Sequence, residues 1–121
     1  MTMKFAKMQG TGNDFILVEA EEAGRDWSAL ARAMCDRHFG VGADGLMLVL
    51  PSQRADVRMR LFNADGSEAE VSGNGVRCLV KYAVERGLAE ARHGQVKVEA
   101  ASGVLKAEVF QEGGVVTGVR A

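Results

Sequence analysis

The sequence is poor in cysteine, proline and long apolar runs. Its 121 residues include only two cysteines, too few for the disulfide framework that stabilises small secreted domains. The single proline, Pro51, and the lack of any low-complexity segment argue against a disordered linker. No apolar run approaches the ~18 residues of a membrane-spanning helix, and the N-terminus lacks the apolar stretch of a signal peptide. These absences predict a cytoplasmic domain with no membrane partner.

Charge of either sign is not in excess. Lys and Arg total 15 against 16 for Asp and Glu, which gives a formal net charge of -1, and no basic or acidic block is present. This balance offers no electrostatic reason to bind nucleic acid, so a small-molecule ligand is the default expectation. A chain of this length can bury one hydrophobic core but not two. We therefore expect residues 1–121 to form a single domain.

The few thiols and imidazoles give little sign of a metal site. Cys35 and Cys78 both lie within apolar helical patterns, which favours reduced, buried thiols. His38 follows Cys35 by three residues, but one such pair is a weak zinc signal, and a structural role is the stronger interpretation. His93 has no partner that the sequence suggests. We predict that no metal is bound.

Fifteen glycines suggest many tight turns, and the short apolar runs and alternating apolar stretches between them indicate strands. We predict strands at Met3–Met8, Phe15–Glu19, Leu46–Leu50, Val57–Phe62, Gln95–Ala100, Val104–Phe110 and Val115–Arg120, with a brief extension at Glu68–Val71. The last three strands are separated by glycine-containing turns, so we expect them to pair antiparallel.

Two segments have helical rather than strand periodicity. In the first, Ser28 is the predicted N-cap and the apolar spacing continues until Gly40. The second begins at Ser72-Gly73-Asn74-Gly75, carries an apolar stripe from Val76 to Val84 and stops at Gly87. Because the helices do not alternate regularly with the strands, an α+β fold fits better than a doubly wound parallel sheet.

The start of the second helix is the segment best suited to bind a ligand. Its two glycines leave backbone amides open, and a helix N-terminus concentrates unpaired N–H groups and a partial positive charge, so a carboxylate is the natural ligand. Helix capping by Ser72 or Asn74 explains the same residues without any ligand. Ser72 does not form a hydrolase elbow, because Glu70 and Asn74 stand where that motif has glycines.

A second glycine-rich loop runs from Gly10 to Asp14. A dinucleotide-binding fingerprint requires a helix directly after the glycines, whereas the residues that follow here, Phe15–Val18, are typical of a strand. The loop is therefore interpreted as a hairpin connection, not as a nucleotide site.

Four motifs taken in order are more specific than any one of them. Gly-Thr-Gly-Asn-Asp-Phe at 10–15, Gly-Val-Gly-Ala-Asp-Gly at 40–45, Phe-Asn-Ala-Asp-Gly-Ser at 62–67 and Ser-Gly-Asn-Gly-Val-Arg-Cys at 72–78 follow one another along the chain. In this order they resemble the N-terminal half of the diaminopimelate epimerase family. The resemblance covers essentially the whole chain.

The resemblance implies a fold, an activity and a set of site residues. Family members interconvert LL- and meso-diaminopimelate without metal or other cofactor, using a cysteine thiolate on one face of Cα and a cysteine thiol on the other. They have two similar domains with the substrate between them, so this chain is expected to be one mixed, mostly antiparallel, barrel-like domain packed around two helices. By the same resemblance, Asn13 and Asn63 hydrogen-bond the substrate, and the backbone amides of Gly73 and Asn74 hold its α-carboxylate.

The chief departure from the family pattern is Ser72, which stands at the place of the expected catalytic cysteine. A serine hydroxyl is a far weaker acid than a thiol, so it needs an adjacent base to be activated. Cys78 is an unlikely substitute, because it lies about one and two-thirds turns further along, in the apolar stripe of the helix.

Several functions stay open at this point. The chain is predicted to be half of an epimerase that needs a complementary second domain or a homodimer partner, and to be inactive alone. The alternatives are a non-catalytic domain that binds an amino-acid carboxylate or a protein partner, and half of a related isomerase of the proline racemase or phenazine-pathway type. We also expect the isolated chain to expose an apolar face and to self-associate, because the family buries that face against the second domain.

Overall fold

Eight strands form one sheet in the computed structural model, which describes residues 5–10, 12–21, 25–71 and 73–121. The strands are β1 (Phe5–Gly10), β2 (Asn13–Glu19), β3 (Gly45–Leu50), β4 (Val57–Asn63), β5 (Glu68–Ala69), β6 (Gln95–Ala100), β7 (Gly103–Glu112) and β8 (Val115–Arg120). Two helices accompany them, α1 (Trp27–Cys35) and α2 (Gly73–Glu85). In the described part of the chain, neither helix has the length and apolar character needed to cross a membrane.

The sheet is mixed but mostly antiparallel. Its order is β1-β2-β3-β4-β6-β7-β8, with the short β5 paired to β4. Parallel pairing occurs between β2 and β3 and between β4 and β6. A parallel pair requires a crossover connection, and α1 and α2 lie in these two connections. The last three strands pair antiparallel, as the sequence predicted.

Alternation along the strands gives the sheet two apolar faces. Odd-numbered residues of the central strands, such as Leu17 and Met47, pack in one cluster with Leu79 of α2. Even-numbered residues pack in a second cluster with Trp27, Ala31 and Cys35 of α1; they include Ile16, Leu46, Leu48 and Phe62. Side chains of successive strand residues point to opposite faces, so one strand can serve both clusters.

The sheet curls around α2. This helix contacts both end strands, β1 and β8, as well as β2, β3, β6 and β7, whereas α1 packs on the opposite face against β3 and β4. The α+β, barrel-like, mostly antiparallel class that the sequence predicted is therefore confirmed. One helix lies inside the curl and the other outside it.

The bounds of α1 differ from the prediction. Its N-cap is Asp26, whose Oδ1 accepts a hydrogen bond of 3.0 Å from the Ala29 amide, so the helix begins two residues earlier than a cap at Ser28 implies. It ends at Cys35 rather than continuing to Gly40, because Asp36 has extended backbone dihedrals. Gly40 instead turns back onto the last turn of α1, where a β-carbon would lie 2.2 Å from the Ala33 carbonyl oxygen.

Other bounds are closer to expectation. The second helix stops before Gly87, which has a φ of 73° and so suits the residue after a helix end. Only Glu68–Ala69 of the predicted extension at 68–71 forms a strand. The beginning of the first predicted strand, Met3 and Lys4, and the first residue of the predicted helix start, Ser72, lie outside the described residues.

Candidate functional site

Asn13 and Asn63 lie at the same end of the sheet. Asn13 is the first residue of β2 and Asn63 is the last residue of β4, which runs in the opposite direction. The strand between them, β3, begins there with Gly45, which pairs with both Phe15 of β2 and Asn63 of β4. Both asparagines are exposed.

Gly10 brings the N-terminus of α2 to this end of the sheet. It pairs with Asn13 across the β1–β2 turn. A β-carbon on Gly10 would lie 3.3 Å from Asn74 Cβ and 3.5 Å from Cys78 Sγ, so the strand backbone rests directly on the helix. Such a close approach favours glycine, because a β-carbon there would have to displace Asn74 slightly. Asn13, Asn63, Gly73 and Asn74 are therefore gathered at one end of the domain, and Ser72 lies outside the described residues.

The start of α2 has the electrostatic character of an anion site. The helix has 13 residues and no acidic side chain in its first turn. The first amides of a helix have no partner within it, and their dipoles give this end a partial positive charge. Gly73 is exposed and Asn74 is half-buried, with its Oδ1 accepting a hydrogen bond from Arg77 Nη2.

The turn after β4 fixes the orientation of Asn63. Its side-chain Nδ2 donates to Ser67 Oγ at 3.0 Å, and its backbone amide donates to the Ser67 carbonyl at 2.8 Å. Ser67 Oγ in turn donates to Asp65 Oδ1 at 2.6 Å, and this hydrogen bond is the main reason why the pKa of Asp65 is lowered. Asn63 is thus held at the edge of the sheet by its own turn.

A polar pocket of about 350 Å³ opens beside Asn13. It is lined by residues of the β1–β2 turn together with Arg37 and Asp44. A second groove of about 550 Å³ lies between β1, α2 and β8, and Gly10, Arg77 and Cys78 are among its lining residues. The end of the domain that carries the asparagines therefore has open space for a small polar ligand.

Neither cysteine is suited to act as a base. Cys35 and Cys78 are both buried, and burial raises the pKa of each thiol. A catalytic thiol needs the opposite shift to populate its thiolate. Burial confirms the sequence-based interpretation of Cys78 as a core residue. Across residues 5–10, 12–21, 25–71 and 73–121, no three His, Cys, Asp or Glu side chains are grouped in a way that could hold a metal ion.

Sequence reasoning missed an ion cluster beside the turn between β1 and β2, which is named the Asn13 turn after the residue that follows it. Arg37 Nη2 lies 3.1 Å from Asp14 Oδ1 and 3.2 Å from Asp44 Oδ1. In the sequence, Asp44 belongs to the motif at 40–45, and no pattern marks Arg37. Asp14 and Asp44 are 30 positions apart, and Arg37 is seven positions before Asp44. These residues lie in separate turns, so no local pattern in the sequence could have revealed the cluster.

Two solved structures with a similar fold are described as an epimerase and an isomerase. A hydroxyproline epimerase from Agrobacterium vitis has a TM-score of 0.77 at 20% identity, over 97% of this chain and 40% of that protein. A methylitaconate-delta-isomerase has a TM-score of 0.73 at 20% identity, over 94% of this chain and 36% of that protein. At this level of identity, the similarity establishes the fold alone: one racemase-like half-barrel.

Sequence comparison gives the family. The diaminopimelate epimerase family model matches residues 5–120, and the chain belongs to that family. The diaminopimelate epimerases of Caldanaerobacter subterraneus subsp. tengcongensis and Moorella thermoacetica are each 53% identical to it, over 118 and 120 residues. Both alignments include 98% of this chain but only 42% of the relative. The chain therefore spans about two-fifths of the length of these proteins.

Proposed function

We propose that this chain supplies one wall of a diaminopimelate epimerase-type site. In this proposal Asn13 and Asn63 hydrogen-bond an amino-acid substrate, and the backbone amides of Gly73 and Asn74 hold its α-carboxylate. The observation that supports it best is the gathering of these four residues at one end of the sheet, through the contact of Gly10 with Asn74. Family membership supplies the reaction class.

The chemistry would be a transfer of protons at Cα. A base on one face takes the Cα proton, the electron pair is delocalised into the carboxylate, and an acid on the other face returns a proton, with inversion. Amides at the start of α2 would stabilise the carboxylate and the negative charge that develops on it as the proton leaves. The chain's own residue at the expected acid/base position is Ser72, and the opposite group must come from a second domain or from a second copy. No metal or other cofactor enters this scheme, and we expect the protein to act in the cytoplasm.

Ser72 also supports a second candidate function. A hydroxyl is a much weaker acid than a thiol, and Cys78, the cysteine nearest along the chain, is buried. A domain that keeps the carboxylate-binding amides but has lost the catalytic thiol would bind an amino-acid carboxylate without inverting it. Half of a related racemase-like isomerase has the same fold and is a further alternative.

Deuterium uptake at Cα of LL-diaminopimelate separates these functions. The assay uses the chain alone and the chain mixed with the remaining part of the Moorella thermoacetica relative, each with Ser72 and with Ser72→Cys. We expect no exchange from the chain alone with either residue. With the second part present, the rate of deuterium uptake with Ser72→Cys should exceed the rate with Ser72 by at least about 10²-fold, which is the usual contribution of a positioned acid or base.

A matched pair of amide variants tests the wall itself. Asn63→Ala should weaken binding of diaminopimelate, whereas Gln53→Ala should not, because Gln53 is exposed beyond the far end of β3. Binding without exchange, even with Ser72→Cys and the second part, would favour the non-catalytic domain. Exchange at full rate with Ser72 would show that another group is the base.

A further inference from the structure

A network of ionic and backbone contacts holds the Asn13 turn to the segment that precedes β3. Arg37 Nη2 lies between Asp14 Oδ1 and Asp44 Oδ1, at 3.1 Å and 3.2 Å. Lys7 Nζ approaches Asp14 Oδ2 at 3.4 Å from the neighbouring strand β1. Two cations thus face one carboxylate, which follows Asn13 directly in the sequence.

Backbone hydrogen bonds link the same two aspartates. The Asp14 amide donates to Asp44 Oδ2 at 3.0 Å, and the Asp44 amide donates to the Asp14 carbonyl at 3.0 Å. The side chain of Asp14 is only 13% exposed, whereas that of Arg37 is 56% exposed. Hydrogen bonds that share members in this way reinforce one another, so a change at Arg37 is transmitted to both aspartates.

The fold fixes where Arg37 stands. The residue lies just beyond the end of α1, in a turn in which Asp36 Oδ1 accepts from the amides of both His38 and Phe39. Gly42 returns against it with a φ of 83°, and a β-carbon there would lie 3.2 Å from Arg37 Cα. The Gly42 amide donates to the Met34 carbonyl at 2.9 Å, which ties the turn to α1.

We propose that Arg37 is a positioning residue of this site: through Asp14 and Asp44 it holds Asn13 in the place where the side chain can meet a ligand. The inference rests on the proposed function in one respect, the role given to Asn13. Arg37 itself is not expected to take part in proton transfer. Its Nη2 contacts both carboxylates at once, and a lysine ammonium would serve them less well because its charge is compact and strongly hydrated.

The experiment uses Arg37→Gln, Arg37→Lys and the control Arg54→Gln in the full chain. Arg54 is a matched surface arginine, 67% exposed, with one weak ion pair to Glu99 at 3.8 Å. Arg37→Gln should speed hydrogen exchange at the Asp14 and Asp44 amides by about tenfold, with unchanged exchange in the core strand β3. Exchange in Arg37→Lys should lie between that of Arg37→Gln and that of the parent, and Arg54→Gln should leave both amides unaffected.

Two readouts go beyond local packing. The hydrogen bond from Arg37 holds the pKa of Asp14 well below its usual range, so a carbon-13 titration should show that pKa rising in Arg37→Gln and staying low in Arg37→Lys. In the complemented Ser72→Cys protein, Arg37→Gln should raise KM by about tenfold while kcat changes less, with partial recovery in Arg37→Lys.

The outcomes separate the two proposals. Unchanged amide exchange and an unchanged Asp14 pKa in Arg37→Gln would overturn the positioning role, and so would equal effects from Arg54→Gln. A fall of about tenfold in kcat at constant KM in Arg37→Gln would also overturn the positioning role, because that result would place Arg37 in the chemical step. If the Ser72→Cys chain with the second part present takes up no deuterium at Cα of the substrate, the proposed function fails. The amide-exchange and pKa measurements would still test the role of Arg37.

Discussion

At the scale of single residues, Tyr82 shows how burial and a neighbouring charge act together. Its hydroxyl donates a hydrogen bond of 2.6 Å to Glu19 Oε2. Burial of the ring raises the pKa of Tyr82 to about 12, and the hydrogen bond to Glu19 adds to the shift. Both causes favour the neutral phenol over the phenolate. The contact joins α2 to β2 at the end of the strand opposite Asn13.

This contact predicts a loss of stability in alkali. Because the folded pKa of about 12 lies above the reference value of 10.0, the stabilisation is fully present below pH 10 and is lost as the pH rises toward 12. Tyr82 is the only tyrosine, so near-ultraviolet absorbance of tyrosinate reports it directly. We expect the Tyr82 hydroxyl of the folded chain to ionise well above pH 10, and we expect Glu19→Gln to lower the pH at which half of it is ionised. Half-ionisation near pH 10 with circular dichroism still native would contradict the assignment.

Residues of the site differ in how far the sequence could reveal them. Gly10, Asn13, Asn63, Gly73 and Asn74 stand in ordered motifs, and the structure brings them to one end of the sheet. The partners of Arg37 could not be predicted, because an ion pair depends on where two distant turns meet in space. Local sequence patterns predict turns and helix starts, but they do not predict which side chains pair between two distant turns.

At the scale of elements, the start of α1 shows where two good capping residues compete. The cap was predicted at Ser28, ahead of the apolar spacing of Leu30 and Ala31, although the side chain of Asp26 suits an N-cap equally well. In the structure Trp27 belongs to the helix and is buried against the sheet. A helix that begins at Trp27 carries this large side chain into the cluster with Ala31 and Cys35, so its burial favours the earlier cap.

The capping assignment predicts unequal effects of two alanine substitutions. Asp26→Ala removes the acceptor of the Ala29 amide and should reduce the free energy of unfolding by about 1 kcal/mol. Ser28→Ala lies inside the helix and should change it by less than about 0.5 kcal/mol. Denaturant unfolding measures both. An equal loss from the two variants, or a larger loss from Ser28→Ala, would restore the cap to Ser28.

Strand positions were easier to predict than strand partners. Short continuous apolar runs revealed β2 and β3, whose side chains are buried on both faces of the sheet, whereas apolar–polar alternation revealed β4 and the last three strands. The parallel pairs β2–β3 and β4–β6 were not predicted, since parallel pairing arises when a helix carries the chain back to the same edge of the sheet. That geometry is a property of the packed helices and leaves no trace in the period of a single strand.

At the scale of the whole molecule, the two faces of the sheet are covered unequally. The inner face holds α2 along its length. On the outer face, the cluster around α1 draws its strand residues from β2, β3 and β4, and none from β6, β7 or β8. Phe110 of β7 is half exposed on this uncovered part, with its ring beside Gly118 of β8. We name the outer surface of β6, β7 and β8 the uncovered face.

The uncovered face predicts that the chain self-associates. Burying an exposed aromatic ring is favourable by about 25 cal/mol per Å² of apolar surface, and Phe110 is 50% exposed in the single chain. Sedimentation equilibrium should show an average mass that rises with concentration. Phe110→Lys should suppress the rise, because it places a charge in the contact.

The control is Phe39→Lys. It replaces another exposed phenylalanine, 95% exposed, which lies in the turn that follows α1 and so outside the uncovered face. A chain that stays monomeric at high concentration would contradict self-association, and loss of association in Phe39→Lys alone would move the contact to the end of the domain that carries Asn13.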